Sequence, residues 1–248
     1  MMTMITIFGF WACTAKHNPK PPIQAEPQHT PEVVENISVA PQVILDGVTV
    51  HVDWDDGDTF SFVDTNTNKK VKARLNGFNT LESYGPVHQW GDWTPQELFQ
   101  IAKDAGEFAR KQVWVCSDTQ RGGGYGRILV DCPELRIAIL RAGLAHPFSV
   151  DRPAPETDLI ALQTAIENKS GMWKKGAPQK VITSLHSQDE KPDKDAYNRI
   201  CDLTIGQCNV ETHTDVYTTC QRVCLYDSCM IYVPYKQRYG EQRAACLR

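Results

Sequence analysis

The chain has no surplus of positive charge: 26 Lys and Arg stand against 30 Asp and Glu, a formal net charge of −4. That excludes a protein that coats nucleic acid by charge alone. Any phosphate chemistry must come from a few placed cations or a metal. A long hydrophobic run is also lacking, since the apolar start over residues 1–13 is too short to span a bilayer. The Cys-rich stretch near the C-terminus contains no Cys-x2-Cys pair and His213 stands alone in it, which disfavours a zinc site. What is present is ordinary globular composition, 41% hydrophobic and 23% charged over 248 residues. That length suffices for one full-sized domain with a proper core plus a smaller module.

The opening M-M-T-M-I-T-I-F-G-F-W-A-C-T ends its apolar run at Ala12-Cys13. It resembles a bacterial lipoprotein signal, in which Cys13 is lipidated and anchors the chain to a membrane, periplasmic or at the cell surface. Two features depart from that pattern: no Lys or Arg precedes the run, and Trp11 is bulky beside a cleavage site. Setting Cys13 aside leaves eight of the nine cysteines, an even number suited to an oxidising compartment. From residue 14 to 42 six prolines alternate with Gln, Glu and Lys without helical or strand periodicity, which reads as a disordered tether.

Structure is expected from residue 43. V-I-L-D-G-V-T-V-H-V-D-W alternates as a first strand, T-F-S-F-V-D as a second and V-K-A-R-L as a third. Thr94-Pro95-Gln96-Glu97 has the form of a capping box with proline at the first helical position. Leu98, Ile101, Ala102, Ala105, Phe108 and Ala109 then recur at helical spacing. Q-V-W-V-C-S-D and Y-G-R-I-L-V-D-C are two more strands across a glycine-rich loop. Pro133 opens a short helix with Ile137, Leu140 and Leu144 on one face, and a last helix spans about 156–169 with Leu159, Leu162 and Ile166 inward. The fold class is therefore α+β: a five-stranded, OB-fold-like barrel with three packed helices and a small disulfide-rich C-terminal module. Element order alone does not choose between that barrel and other α+β folds. The expected boundaries are 43–177 for the barrel domain, 178–195 for a linker and 196–248 for the Cys-rich module.

The chemistry gathers in three short stretches: D-G-D-T (56–59), R-L-N-G-F-N-T-L-E (74–82) and Y-G-R (125–127). Phosphodiester hydrolysis needs a water made nucleophilic, charge stabilisation on phosphoryl oxygens and a hard cation to hold the group in line. Arginine suits the second task, because its planar fork donates two hydrogen bonds to phosphate and keeps its charge. Carboxylate and carbonyl oxygens suit Ca²⁺. In this order and spacing, with A-G-L-A (142–145) and G-M-W (171–173) following, the set resembles the staphylococcal nuclease (thermonuclease) family over residues 45–177.

The resemblance implies a role for each matching position. Asp58 and the backbone carbonyl of Thr80 would ligate Ca²⁺, with Asp56 just behind. Glu82 would be the general base. Arg74 and Arg127 would grip the phosphate, and Tyr125 would lie against the nucleotide of a DNA or RNA substrate. Two positions depart from the pattern. Asn79 stands where the family has a calcium-ligating aspartate, which keeps an oxygen but removes a charge, and Leu81 replaces a proline. A barrel that has lost catalysis and kept binding is the rival reading, with an envelope interaction protein working through its Cys-rich tail as a third.

Outside these stretches, Cys116 and Cys132 fall on the strands flanking the glycine-rich loop. Export favours a disulfide between them over two buried thiols. The six tail cysteines leave their pairing open. The run I-Y-V-P-Y-K-Q-R-Y-G (231–240) interleaves tyrosines with cations, as a base-stacking surface or as a strand edge on a small core. V-H-Q-W-G-D-W (87–93) reads as aromatic packing under a loop or a lip over the site. No obligate partner chain is implied, and a monomer is expected.

Overall fold

A computed structural model describes residues 41–248. The lipoprotein-type start at Cys13 and the tether up to residue 40 lie outside the described residues. The first expected strand is three: β1 (Gln42–Leu45), β2 (Val48–His51) and β3 (Asp53–Trp54). The break falls at Asp46-Gly47, where both residues take positive φ (50° and 82°), a two-residue hairpin turn that pairs Leu45 with Val48. Next come β4 (Thr59–Asp64), β5 (Lys69–Leu75), β6 (Gly77–Thr80) and β7 (His88–Trp90). Helix α1 (Pro95–Arg110) begins with the expected capping box: Thr94 Oγ1 accepts from Glu97 N–H at 3.3 Å and Glu97 Oε2 accepts from Thr94 N–H at 3.0 Å. Then follow β8 (Trp114–Gly122), β9 (Ile128–Asp131), α2 (Pro133–Arg141), β10 (Ala145–Phe148) and α3 (Glu156–Glu167).

Seven strands join in the order β2-β1-β8-β9-β5-β4-β3, a sheet that curls into a nearly closed barrel. Its core is a contiguous apolar cluster including Val43, Phe60, Leu75, Phe78 and Val130, sealed by Leu135, Ile139 and Leu140 of α2. The helices sit differently from their expected faces. Helix α2 buries Leu135, Ile139 and Leu140, because it is wedged between the barrel and α3. Helix α3 turns its small residues inward, Ala161 and Ala165 beside Leu162, and leaves Leu159 and Ile166 half-buried. Fully buried Asp158 goes in with them and pairs with Arg136 at 3.2 Å.

The region expected as linker and separate module is neither. Residues 178–195 contain β11 (Lys180–Ser184), which pairs with β12 (Ala196–Asp202), itself paired with β13 (Gln207–His213). The hairpin β14 (Arg222–Leu225) and β15 (Ser228–Ile231) adds to β7, with Met230 opposite His88. Tyr84 and Val87 share one core with Ile182, Leu185, Tyr217, Met230, Tyr232 and Leu247. Some fifty residues cannot bury their apolar side chains alone, so they bury them against the loop after β6. His88, Trp90 and Trp93 are accordingly packing residues, each under a tenth exposed.

Four disulfides link Cys116–Cys132, Cys201–Cys208, Cys220–Cys246 and Cys224–Cys229, and no described cysteine is left free. The first ties the strands on either side of the glycine-rich loop, as expected. The tail cysteines are all consumed as disulfides, which removes the zinc alternative. This density of cross-links fits an extracellular or otherwise oxidising environment. Among the described residues, no helix is long and apolar enough to cross a membrane.

The seating of the C-terminal segment is tight at Gly85, where an added Cβ would meet Leu247 Cδ2 at 2.7 Å and its Cα at 3.1 Å. Gly85→Ala is therefore expected to cost about 1–3 kcal/mol in urea unfolding. Amide exchange over residues 235–248 should speed up with it. An unchanged midpoint and exchange pattern would show that the segment does not rest there.

Candidate active site

The D-G-D-T stretch turns the chain from β3 into β4, with Asp55 N–H bonded to Thr59 O at 2.9 Å. This turn aims the Asp58 carboxylate inward, where it is 6% exposed. Three donors reach it: Thr80 N–H at 2.8 Å, Thr80 Oγ1 at 3.0 Å and Thr59 Oγ1 at 3.0 Å. The fourth partner is the Arg74 guanidinium, in a buried ion pair. Arg74 stands opposite Thr59 in the β4–β5 ladder, so strand register delivers it to Asp58. The other hydrogens of its two terminal nitrogens are also taken, by Asp58 O at 3.2 Å, Phe78 O at 3.1 Å and Asn79 Oδ1 at 2.7 Å, which leaves only the Nε–H without a partner among the described residues.

Burial works against ionisation of Asp58, but Arg74 and the Thr80 and Thr59 hydrogen bonds outweigh it and hold the carboxyl below its usual range. Asp56 has no such partner. Burial first, then the charges of Asp58 and Glu82, push its carboxyl well up, although its Oδ1 accepts Asp58 N–H at 3.0 Å.

Glu82 follows β6 by two residues and is half-buried. Its N–H donates to His88 Nε2 at 3.3 Å, and His88 is free to accept because burial, reinforced by nearby His146, lowers its pKa to about 3. The carboxylate itself has no hydrogen-bond or ion-pair partner among the described residues. Burial lifts its pKa to about 7, with Asp58 adding to the rise and Arg238, Arg74 and Arg127 opposing it. Arg127 leaves the glycine-rich loop with its side chain folded back on that loop, Nε on Gly124 O at 3.2 Å and Nη2 on Gly123 O at 3.0 Å. Tyr125 is 91% exposed, its ring centroid 5.8 Å from the Arg127 guanidinium.

The sequence-derived set thus converges in part. Asp58, Arg74, Asn79 and Thr80 form one bonded cluster, with Asp56 and Glu82 beside it and Arg127 acting on it electrostatically. The donor set bears on the ligand roles expected of Asp58, Asn79 and Thr80. Calcium takes about six to eight oxygens with lone pairs turned toward it. Here Asn79 Nδ2 donates to the Thr80 carbonyl at 2.7 Å, Asn79 Oδ1 is occupied by Arg74, and both Asp58 oxygens accept protein hydrogens. The Asn79 amide thus links the Thr80 carbonyl to the Arg74 guanidinium, and the residues as arranged do not fit Ca²⁺. Among the described residues no group of three or more His, Cys, Asp or Glu is placed to hold a metal ion.

The sequence reading missed the contribution of the C-terminal segment. Arg238 lies 4.9 Å from the Tyr84 ring centroid, Tyr239 meets Tyr84 edge-on at 6.1 Å, and Arg243 Nη2 donates to Tyr84 O at 2.5 Å. The one trace of this in the sequence is the alternation of tyrosines and cations over 231–240. A scan of protein-family models finds no match to the chain, and neither does a search of curated proteins. A surface recess of about 620 Å³ between β7 and the β14–β15 hairpin includes none of the site residues.

Asn79→Asp is expected to set oxygen against oxygen at Thr80, lowering stability by about 1–3 kcal/mol without metal. Added Ca²⁺ should restore it, whereas the parent's melting temperature should not move with calcium. An equal calcium response in parent and variant would contradict this account of Asn79.

Proposed function

We propose that the chain is a nuclease that hydrolyses phosphodiester bonds of DNA or RNA on an OB-type barrel. The observation that carries the reading is Glu82: a half-buried carboxylate with a pKa near 7 and no partner of its own, standing among guanidiniums. A general base works best when its pKa lies near the working pH, and perturbed groups of this kind gather at functional sites. Glu82 takes a proton from a water, the water oxygen bonds to phosphorus and the opposite P–O ester bond breaks. Arg127 faces the charge that accumulates on the phosphoryl oxygens. Asp58 and Arg74, bonded to each other and to β6 groups, position β6 and therefore Glu82. The match of D-G-D-T, R-L-N-G-F-N-T-L-E and Y-G-R to the thermonuclease pattern supports the same assignment.

A second reading has its own observation. The terminal nitrogens of Arg74 have no hydrogen left to grip a phosphate, as expected of a barrel that binds nucleic acid without cleaving it. Cleavage of end-labelled single-stranded DNA and RNA separates the two. Because Glu82 must be ionised to act, kcat/KM should be full above pH ~7 and fall as pH drops through that value. Glu82→Gln should reduce it by about 10²–10⁴-fold while leaving oligonucleotide binding in place. Binding with no cleavage by the parent at any pH would favour the second reading.

The disulfides fit export, and we place the enzyme at a membrane through a lipidated Cys13. Cys13→Ala should release the chain from the membrane fraction into the soluble exported fraction. Continued membrane retention would contradict the anchor.

A further inference from the structure

Three arginines approach Glu82, and they differ in what they have left to give. A guanidinium carries five N–H donors. Four of those of Arg74, all on its terminal nitrogens, are committed to Asp58, Phe78 and Asn79. Arg127 gives two to its own loop. Arg238 gives one, from Nε to Val233 O at 3.0 Å, and its terminal nitrogens have no acceptor and no ion-pair partner among the described residues. Its plane is fixed over the Tyr84 ring, two residues from Glu82. Its charge opposes the rise in the Glu82 pKa more than either other arginine does, yet the two form no ion pair. A half-buried cation, held by one bond and one aromatic face and with its fork unspent, is built to receive an anion.

Resting on the nuclease reading, we propose that Arg238, supplied by the C-terminal Cys-rich segment, is a principal phosphate-binding residue of this site, and that Tyr239 beside it stacks a neighbouring base of a single strand. Tyr239 is 61% exposed and Tyr235 is 76% exposed, on the turn that presents Arg238. Exposed rings next to a cation provide a sequence-tolerant platform for single-stranded nucleic acid. The turn is clamped from behind: Arg243 Nη2 bonds Tyr84 O at 2.5 Å and Leu247 O at 2.8 Å, and the Cys220–Cys246 disulfide fixes the end that seats Leu247 on Gly85. The tail is then held against the Tyr84–Gly85 loop that follows Glu82.

The test is fluorescence anisotropy of a labelled oligothymidylate titrated with the full chain carrying Glu82→Gln, at several salt concentrations. Adding Arg238→Gln should weaken binding about tenfold. It should also lower the slope of log affinity against log salt by about 0.7, the loss of one phosphate contact on a single strand. Arg238→Lys should keep the full slope with intermediate affinity. Tyr239→Ala should weaken binding about five- to tenfold with the slope unchanged. If the Arg238→Gln chain fails to fold, the lysine and Tyr239 variants still decide. Binding by the Glu82→Gln chain that is unaltered in all folded variants would overturn the inference and leave the nuclease reading standing. Absence of oligonucleotide binding by the Glu82→Gln chain itself would overturn both.

Discussion

The ion pair between Asp58 and Arg74 is the constraint on which the rest of the site hangs. Burying two charges costs several kcal/mol per ion unless their polar atoms are bonded, and here both carboxylate oxygens and both terminal guanidinium nitrogens are. The carboxylate collects Thr59, Thr80 and Arg74, while the guanidinium collects three further oxygens. Those partners come from the turn before β4, from β5 and from β6, so satisfying the two charges fixes three pieces of backbone against one another. Deleting one member would leave the other buried and uncompensated, which is why neither is free to act on a substrate. The same argument explains Asn79. Its amide can donate to Thr80 O and accept from Arg74 at once, a task that a carboxylate performs only with a cation present.

Against this saturated cluster, Glu82 is the exception. It hangs from the end of the strand that the cluster fixes, its backbone tied to a neutral histidine and its carboxyl left without a partner. Burial, with the charge of Asp58 added to it, makes that carboxyl costly to ionise, and this appears as its raised pKa. The C-terminal segment belongs to the same design. By pairing β15 with β7 and packing Leu247 on Gly85, it holds the loop after Glu82 and brings a guanidinium to the open side. Disulfides hold in place a segment too small to hold itself, so an oxidising environment is a condition of a complete site as well as of a stable chain.

Local signals carried much of the fold. The capping box at Thr94, proline at the start of α1 and α2, and the strand-forming runs of β4 and β5 are short-range physics, and they are found where the sequence places them. The Asp46-Gly47 hairpin was not read, because the alternation runs on through it and hides the Asp-Gly turn signal. Nor was the inward rotation of α3, because it follows from how closely Ala161 and Ala165 let that helix approach its neighbours. At the site, the residue types were readable and their commitments were not. That Arg74 bonds Asp58 depends on ladder register, and that Arg238 reaches Glu82 depends on a contact across more than 150 residues of chain. The tail was read as separate because its cysteines set it apart in composition, whereas its apolar residues decide where it packs.

The central claim is a division of labour: Asp58 and Arg74 form a closed scaffold, while Glu82 meets the substrate between Arg127 and Arg238. A crystal structure of the Glu82→Gln chain with a short single-stranded oligonucleotide bound tests it most directly. The account predicts a phosphate beside residue 82 contacted by Arg127 and Arg238, with the Asp58–Arg74 pair and the Asn79 bridge intact. A phosphate held by Arg74, released from Asp58, with Arg238 turned away, would contradict it.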